Sequence, residues 1–174
     1  MLSLFLRILT PIDFDENSLA ALEYAAAFAR QPGATLYLLH VVELDPLHLQ
    51  KEIAPMTKNE WAAEGIAKER LHKIAQERLG NTIHYEILVR VGEAAPVILE
   101  IAEDVEAQVI VMATHGRTGL SHFFLGSVAE RVVREAFCPV LTIPGRQAKP
   151  LSGRTKEKEY PVNAALVLRS RQLS

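Results

Sequence analysis

The sequence predicts an α/β protein in which a five-stranded parallel sheet carries helices on both faces. Two observations support this fold class. Short apolar runs typical of buried strands alternate along the chain with longer segments whose apolar residues recur at helical spacing. The resulting order, β-α-β-α-β-α-β-α-β, requires crossover connections, and these place helices on both sides of a parallel sheet.

The first half of the predicted sheet begins with residues 4–10 (LFLRILT). This run is apolar except for one arginine, as expected for a strand buried on both faces. Asp15 and Ser18 then offer side-chain caps for a helix whose apolar residues fall on one face. A proline-glycine pair ends that helix at Gly33, and Thr35–Val42 (TLYLLHVV) is the second strand.

The middle of the chain predicts a helix, a strand and another helix. Residues 61–79 place apolar side chains at helical spacing among many charged ones. Residues 83–89 (IHYEILV) alternate in part, which indicates the third strand. Gly92 leads into a helix over about residues 94–103, with Pro96 in its first turn, where proline is tolerated.

The fourth predicted strand, Val109–Ala113, opens the most informative stretch of the chain. It runs into a loop that contains Gly116 and Gly119, and a second glycine, Gly126, precedes the last core helix at residues 127–136. A strand that leads into a glycine-bearing loop and then a helix is a common way to present backbone N–H groups to phosphate. The stretch therefore predicts a nucleotide site.

The fifth strand, residues 139–143 (PVLTI), completes a predicted domain of residues 1–144. Residues 145–174 form a basic tail that is rich in Gly, Pro, Lys and Arg, which indicates a flexible linker. Within the tail, residues 164–168 (AALVL) are apolar. They predict a short strand or helix that docks on the body of the protein or on a neighbouring subunit.

Composition limits the classes of function. The chain has 174 residues and a net charge of −2, and its acidic body with a basic tail is not typical of nucleic-acid-binding domains. Its single cysteine, Cys138, excludes an internal disulfide and favours a reducing compartment. No apolar run approaches the ~18 residues of a membrane helix, and the N-terminus lacks the pattern of a signal peptide. We therefore expect a cytoplasmic protein with neither a nucleic-acid nor a membrane partner.

Two loops are expected to share a ligand beyond the carboxyl ends of the strands. These are residues 11–13, after the first strand, and residues 113–119, after the fourth. Backbone N–H groups near the glycines, together with the Ser127 hydroxyl, are suited to a polyphosphate, and Arg117 adds a charge-assisted contact. Asp13 is placed to accept hydrogen bonds from a base or a ribose.

Plainer interpretations of the same residues stay open. The glycines are also explained by a tight turn, Ser127 by helix capping and Asp13 by loop capping. His115 has no nucleophile or carboxylate partner beside it, so we expect no catalytic residue. The remaining histidines lack metal-ligand spacing, so no dedicated metal site is expected.

The motif Ala113-Thr114-His115-Gly116, then nine residues, then Gly126-Ser127 resembles the signature of the ATP-binding branch of the universal stress protein family. That signature is a glycine, two residues, a glycine, nine residues, then a glycine and Ser or Thr. The resemblance extends over roughly residues 2–144 and includes ILTPIDFDENS, the HVV of the second strand and CPVLTIP. One position departs from it, because Ala113 stands where the motif has its first glycine.

The resemblance implies a Rossmann-like (adenine nucleotide alpha hydrolase-like) fold and a homodimer whose last core strands, Pro139 to Ile143, pair across the interface. It also implies an ATP site, with Mg²⁺ arriving on the nucleotide rather than on a dedicated protein ligand. The implied nucleotide-binding residues are Pro11, Ile12, Asp13, Val41, Met112, Ala113, Thr114, His115, Gly116, Arg117, Gly119, Gly126, Ser127 and Val128.

Three functions follow from this reading. The first is a dimeric stress-response sensor or regulator that binds ATP without a defined catalytic chemistry. The second is a slow ATPase or nucleotidyl-transfer enzyme, against which stands the lack of a recognisable base, metal-binding or arginine-finger arrangement. The third is a dimeric interaction module that binds no nucleotide. The retained Gly116 and Gly126-Ser127 argue against this module, while Ala113 keeps it open.

Overall fold

Strands and helices alternate along the chain up to a fifth strand, and a sixth strand follows it. The computed structural model describes residues 5–43, 58–114, 126–144 and 165–167. The strands are β1 (Arg7–Pro11), β2 (Thr35–Val42), β3 (Tyr85–Val91), β4 (Val109–Ala113), β5 (Val140–Ile143) and β6 (Ala165–Val167). The helices are α1 (Glu16–Ala29), α2 (Lys58–Leu79), α3 (Ala94–Asp104) and α4 (Ser127–Glu135).

The strands form one sheet in the order β3-β2-β1-β4-β5-β6. β1 to β5 are parallel, which confirms the predicted five-stranded parallel sheet, and β6 adds an antiparallel strand beside β5. The strand order reverses at β1, since the chain first builds outward through β2 and β3 and then returns to β4 on the other side. In open α/β sheets, ligands bind beyond the carboxyl ends of the strands at such a reversal point.

The helices cover both faces of the sheet, as predicted. On one face, Leu22 of α1 and Leu71 of α2 are fully buried together with Leu38 of β2. On the other face, Ile98 of α3 and Val132 of α4 pack over the remaining strand side chains. Within the described ranges, no helix has the length and apolarity needed to cross a membrane.

Two strands begin two or more residues later than the sequence predicts. β1 begins at Arg7 rather than at residue 4, because its pairing with β2 starts at Arg7 and Thr35. β3 is Tyr85–Val91 rather than residues 83–89. Ile83 is buried, but it precedes the ladder, whose first pair joins Leu36 and Tyr85. The remaining predicted elements differ from the observed ones only at their ends.

The apolar segment of the tail is a strand and not a helix. β6 pairs antiparallel with β5 of the same chain, so that Ala165 lies opposite Thr142 and Val167 lies opposite Val140. The sequence left two docking partners open for this segment, the body of the same chain and a neighbouring subunit. In this structure the segment docks on the body of the same chain. The rest of the predicted tail, from residue 145 onward, lies outside the described residues.

Candidate functional site

A cleft of about 500 Å³ lies beyond the carboxyl ends of β1, β2 and β4. The first turns of α3 and α4 complete its walls. This is the size of a typical small-molecule site, at the position where an open parallel sheet usually binds its ligand.

Most of the predicted nucleotide-binding residues line this cleft. They are Pro11, Ile12, Asp13, Val41, Met112, Ala113, Thr114, Gly126, Ser127 and Val128. The structure thus brings the ends of β1, β2 and β4 and the start of α4 together, although these segments are far apart in sequence. The other predicted residues, His115, Gly116, Arg117 and Gly119, lie outside the described part of the chain, and their role stays a prediction.

Sequence reasoning missed part of the wall. The missed lining residues are Ser18, Leu39, His40, Val42, Glu43, Ala94, Ile98 and Ala129. Signals existed for some of them. His40 is a polar residue within an otherwise apolar strand, and Ala94 begins a helix that follows a strand at the same edge of the sheet.

Hydrogen bonds join the end of β4 to its neighbours. The N–H of Thr114 donates to the carbonyl of Ile143 on β5 (3.0 Å), and the N–H of Gly126 donates to the carbonyl of Thr114 (2.7 Å). The carbonyl of Gly126 accepts the first helical bond of α4, from the N–H of Glu130 (2.8 Å). Both ends of the glycine-bearing loop are therefore fixed relative to the sheet.

The first turn of α4 presents backbone donors to the cleft. Because Gly126 is the N-cap and has no side chain, the N–H groups of Ser127, Val128 and Ala129 have no acceptor within the helix and receive no side-chain cap from the N-cap residue. All three residues line the cleft. The sequence predicts donors near Gly126-Ser127, and of these the N–H of Gly126 is engaged by the carbonyl of Thr114. The available donors therefore begin one residue later.

A second helix begins at the same cleft. Glu93 is the N-cap of α3 and makes no side-chain capping bond, and Ala94 and Ile98 from the first turns of this helix line the wall. The N-terminal end of a helix carries a partial positive charge. Two uncapped helix ends facing one cleft favour an anionic ligand.

Asp13 is tied to the start of α1 as well as lining the cleft. Its N–H donates to the hydroxyl of Ser18 (3.3 Å), and its Oδ1 accepts from the N–H of Asp15 (3.1 Å). Asp15 is the N-cap of α1 and accepts from the N–H of Ser18 (2.8 Å). Burial raises the pKa of the Asp15 carboxyl, and the neighbouring charge of Asp13 raises it further. These contacts account for a structural role of Asp13, and its contact with a ligand stays a prediction.

His40 fixes the turn that follows β1. Its Nδ1 lies 2.7 Å from the carbonyl oxygen of Ile12, and since a carbonyl only accepts, Nδ1 carries the proton of this hydrogen bond. The imidazole also lies 4.3 Å, centroid to centroid, from the ring of Phe14, and the guanidinium of Arg70 lies 4.2 Å from that ring. Phe14 has a φ of 69°, which is uncommon for a bulky residue. The wall at Ile12 is thus held in one shape by its neighbours.

Ala113 occupies the position of the motif's first glycine without strain. It is the last residue of β4, where it pairs with Ile143 in extended backbone, so the position does not require the conformational freedom of glycine. Its half-buried methyl group lines the cleft. The substitution therefore adds apolar surface to the wall and leaves the backbone unchanged.

Two carboxylates, Asp13 and Glu43, are the charged side chains that line the cleft in the described part of the chain. No cluster of three or more His, Cys, Asp or Glu side chains that could hold a metal ion occurs among the same residues. Among the described residues, the positive partial charges at the cleft are therefore those of the helix N-termini, while the two carboxylates are suited to accept hydrogen bonds from hydroxyl or amino groups.

Comparison with known proteins places these features in a family. The sequence model of the universal stress protein family matches residues 5–144. Universal stress protein MJ0531 of Methanocaldococcus jannaschii is 38% identical over 147 residues, which covers 81% of this chain and 83% of that protein.

Solved structures share the fold. The structure of MJ0577, a universal stress protein of the same archaeon, superimposes with a TM-score of 0.68 at 30% identity, covering 81% of this chain and 96% of that one. The universal stress protein from Archaeoglobus fulgidus in complex with dAMP gives a TM-score of 0.58 at 20% identity, covering 80% and 98%.

Proposed function

The chain belongs to the universal stress protein family, and from this premise we propose that its cleft binds an adenine nucleotide, with ATP as the principal ligand. The protein then acts as a cytoplasmic, dimeric stress-response sensor or regulator that responds to ATP and has no dedicated catalytic chemistry. The observation that carries the proposal is the uncapped first turn of α4, which faces the cleft.

The phosphate chain is assigned to this turn. The N–H groups of Ser127, Val128 and Ala129 lack helical acceptors, and the Ser127 hydroxyl adds a further donor. Because no Lys or Arg side chain of the described residues lines the cleft, these dipoles supply the local attraction for phosphate. Mg²⁺ arrives with ATP in this account and uses phosphate oxygens and water as most of its ligands.

The adenosine moiety is assigned to the wall formed by the ends of β1, β2 and β4. Val41 and Met112 supply apolar surface for a planar base, and Ala113 extends that surface. Asp13 and Glu43 offer carboxylate oxygens that can accept from the hydroxyls of a ribose or the amino group of a base. The dAMP complex of the Archaeoglobus fulgidus protein, which has the same fold, supports an adenine ligand as the class to test first.

The proposed assembly is a homodimer that pairs through the last core strand, residues 139–143. In this structure β6 of the same chain occupies the outer edge of β5. Pairing of two copies through that edge therefore requires β6 to leave it.

A slow ATPase on the same fold is the second candidate. Phosphoryl transfer depends on cations that stabilise charge on the transferred group. The charged side chains described around the cleft are the carboxylates Asp13 and Glu43, which favours binding without turnover. The third candidate, an interaction module without a ligand, does not account for a cleft that two uncapped helix ends face.

Calorimetric titration of the full chain with ATP, ADP and AMP, with and without Mg²⁺, tests the proposal when each mixture is then analysed for products. Binding of ATP at about micromolar concentration, with the nucleotide recovered intact, supports the sensor. Accumulation of ADP that is lost in a Gly126 variant supports the enzyme. No binding heat and no change in melting temperature leave the interaction module.

A further inference from the structure

We propose that the outer edge of β5 is a strand-binding surface for which β6 of the same chain competes with β5 of a second copy. The inference extends the homodimer part of the proposed function and is independent of nucleotide binding. Its central observation is the pairing of a short C-terminal strand with the edge that a second copy would need.

β5 is a strand that requires a partner on its outer side. Its four residues, Val140–Ile143, are uncharged, and the greatest exposed fraction among them is 8%, at Leu141. An unpaired edge strand presents a row of free N–H and C=O groups that readily pair with another chain. β6 pairs with this row through Ala165 opposite Thr142, and Val167 opposite Val140.

The opposite edge of the sheet is protected in another way. β3 carries Glu86 and Arg90, whose side chains are exposed. Charged residues on an edge strand oppose pairing with a second strand. The parallel sheet has two edges, and the edge at β5 is therefore the one suited to accept another strand. Because β5 is uncharged, an uncharged strand is the partner that suits this edge.

A second copy of β5 satisfies the same requirement. Two β5 strands related by a two-fold axis run antiparallel, and each then covers the edge of the other with the same residues. The backbone groups on one side of β5 can bond to only one strand at a time. Pairing with β6 and pairing with a second β5 consequently exclude each other.

Tethering favours β6 in this competition. Residues 144–164 connect β5 to β6, and an extended chain covers about 3.3 Å per residue, so this connection reaches the edge without constraint. A tethered segment has an effective concentration on the order of millimolar, whereas a second copy is present at about micromolar concentration. However, β6 pairs with β5 over only 3 residues. A longer interface with a second copy can therefore displace β6 from this edge.

A proline substitution tests the competition in the full chain. Leu166→Pro removes a backbone N–H and opposes strand geometry at the centre of β6, while Gln172→Pro places the same residue beyond the strand as the matched control. Self-association is measured by light scattering and sedimentation over a concentration series. We expect Leu166→Pro to dimerise at least about tenfold more tightly than wild type, and Gln172→Pro to behave as wild type.

The other outcomes separate the two ideas. Equal dimerisation of wild type and Leu166→Pro overturns the competition and leaves the homodimer intact. If all three proteins stay monomeric at the highest concentration, both the competition and a dimer through β5 are overturned. ATP affinity is expected to be the same in all three, because β6 pairs with β5, and no residue of β5 lines the cleft.

A disulfide reports which copy supplies β6. Thr142 and Ala165 lie opposite each other, and directly paired strand residues have Cα separations within the range that a disulfide spans. The double variant Thr142→Cys with Ala165→Cys, in a Cys138→Ala background, should form an intramolecular disulfide. On a non-reducing gel it should then migrate as a monomer. Covalent dimers as the main product would show that β6 pairs with the partner copy, and would overturn pairing within one chain.

Discussion

The N–H of Gly126 donates a 2.7 Å hydrogen bond to the carbonyl oxygen of Thr114, and this bond joins the end of β4 to the start of α4. It closes the base of the glycine-bearing loop and directs the first turn of α4 toward the cleft. Because the N–H of Gly126 is engaged, the donors left for an anion are those of the next three residues.

Gly92 is a position where the backbone requires glycine. Its φ is +152°, and a Cβ built on it would lie 2.9 Å from Cγ2 of Val97. We expect Gly92→Ala to lower the free energy of unfolding by about 1–3 kcal/mol, because both the backbone and Val97 must adjust. The control is Gly65→Ala, since Gly65 lies within α2 and no atom lies within 4 Å of its Cβ position.

In urea unfolding, Gly65→Ala should raise the free energy of unfolding by about 0.5–1 kcal/mol. Similar effects at both sites would contradict the account.

Asp15 should make stability depend on pH. Burial raises the pKa of its carboxyl in the folded state, and the Asp13 charge adds to this. Its contribution to stability is therefore complete below the ordinary pKa of about 3.9 and is lost as the pH rises through the raised value.

Asp15→Asn keeps an oxygen acceptor for the N–H of Ser18 but carries no charge. It should melt at a higher temperature than wild type at pH 7, and the difference should vanish below about pH 3.9. Asp15→Ala also removes the cap and should lose about 1 kcal/mol at pH 7. Thermal melts across this range provide the measurement. A lower melting temperature for Asp15→Asn at neutral pH would show that the charge stabilises α1.

Ala113→Gly restores the residue that the motif has at this position. Ala113 has the extended backbone of a strand, so glycine gains nothing there and costs about 0.5–1 kcal/mol of stability. We expect the ATP dissociation constant to stay within about threefold of wild type while the melting temperature falls. Calorimetry and a thermal melt on the same sample measure both quantities. A gain in affinity of tenfold or more would mean that the methyl group obstructs the ligand.

Cys138 should be chemically inert in the folded protein. Burial raises the pKa of its thiol to about 11, so at pH 8 only about one molecule in a thousand carries the thiolate. Labelling with a thiol reagent should be slow in buffer and rapid in guanidinium, where the side chain is exposed. Rapid labelling of the folded protein would show that the α4–β5 connection opens readily.

Most of the parallel core strands were predictable because they are compact apolar runs. β2 and β4 have their predicted bounds, and side chains of both strands belong to the core clusters on the two faces of the sheet. β3 ends two residues later than predicted because its pairing with β2 continues to Val91. There Arg90, an exposed residue that interrupts the apolar run in the sequence, still pairs with Val41.

Other features depend on contacts that a sequence pattern does not contain. The strand state of β6 follows from its pairing with β5, which is remote in sequence. The place of His40 in the cleft follows from the register that brings β2 beside the carbonyl of Ile12. The engagement of the Gly126 N–H by Thr114 likewise depends on how the loop closes. Composition and spacing indicated the region of the candidate site, while tertiary contacts decide which atoms face the cleft.

The most direct test of the account is an ATP titration of wild type beside Gly126→Glu and Gly126→Gln. Gly126 has a φ of −60°, so either side chain is compatible with its backbone, and the two variants differ in charge at nearly equal size. If phosphate lies at the first turn of α4, the glutamate should abolish detectable binding, and the glutamine should weaken it less, with circular dichroism unchanged in both. ATP affinity of Gly126→Glu equal to that of wild type would contradict the assignment of this turn to phosphate.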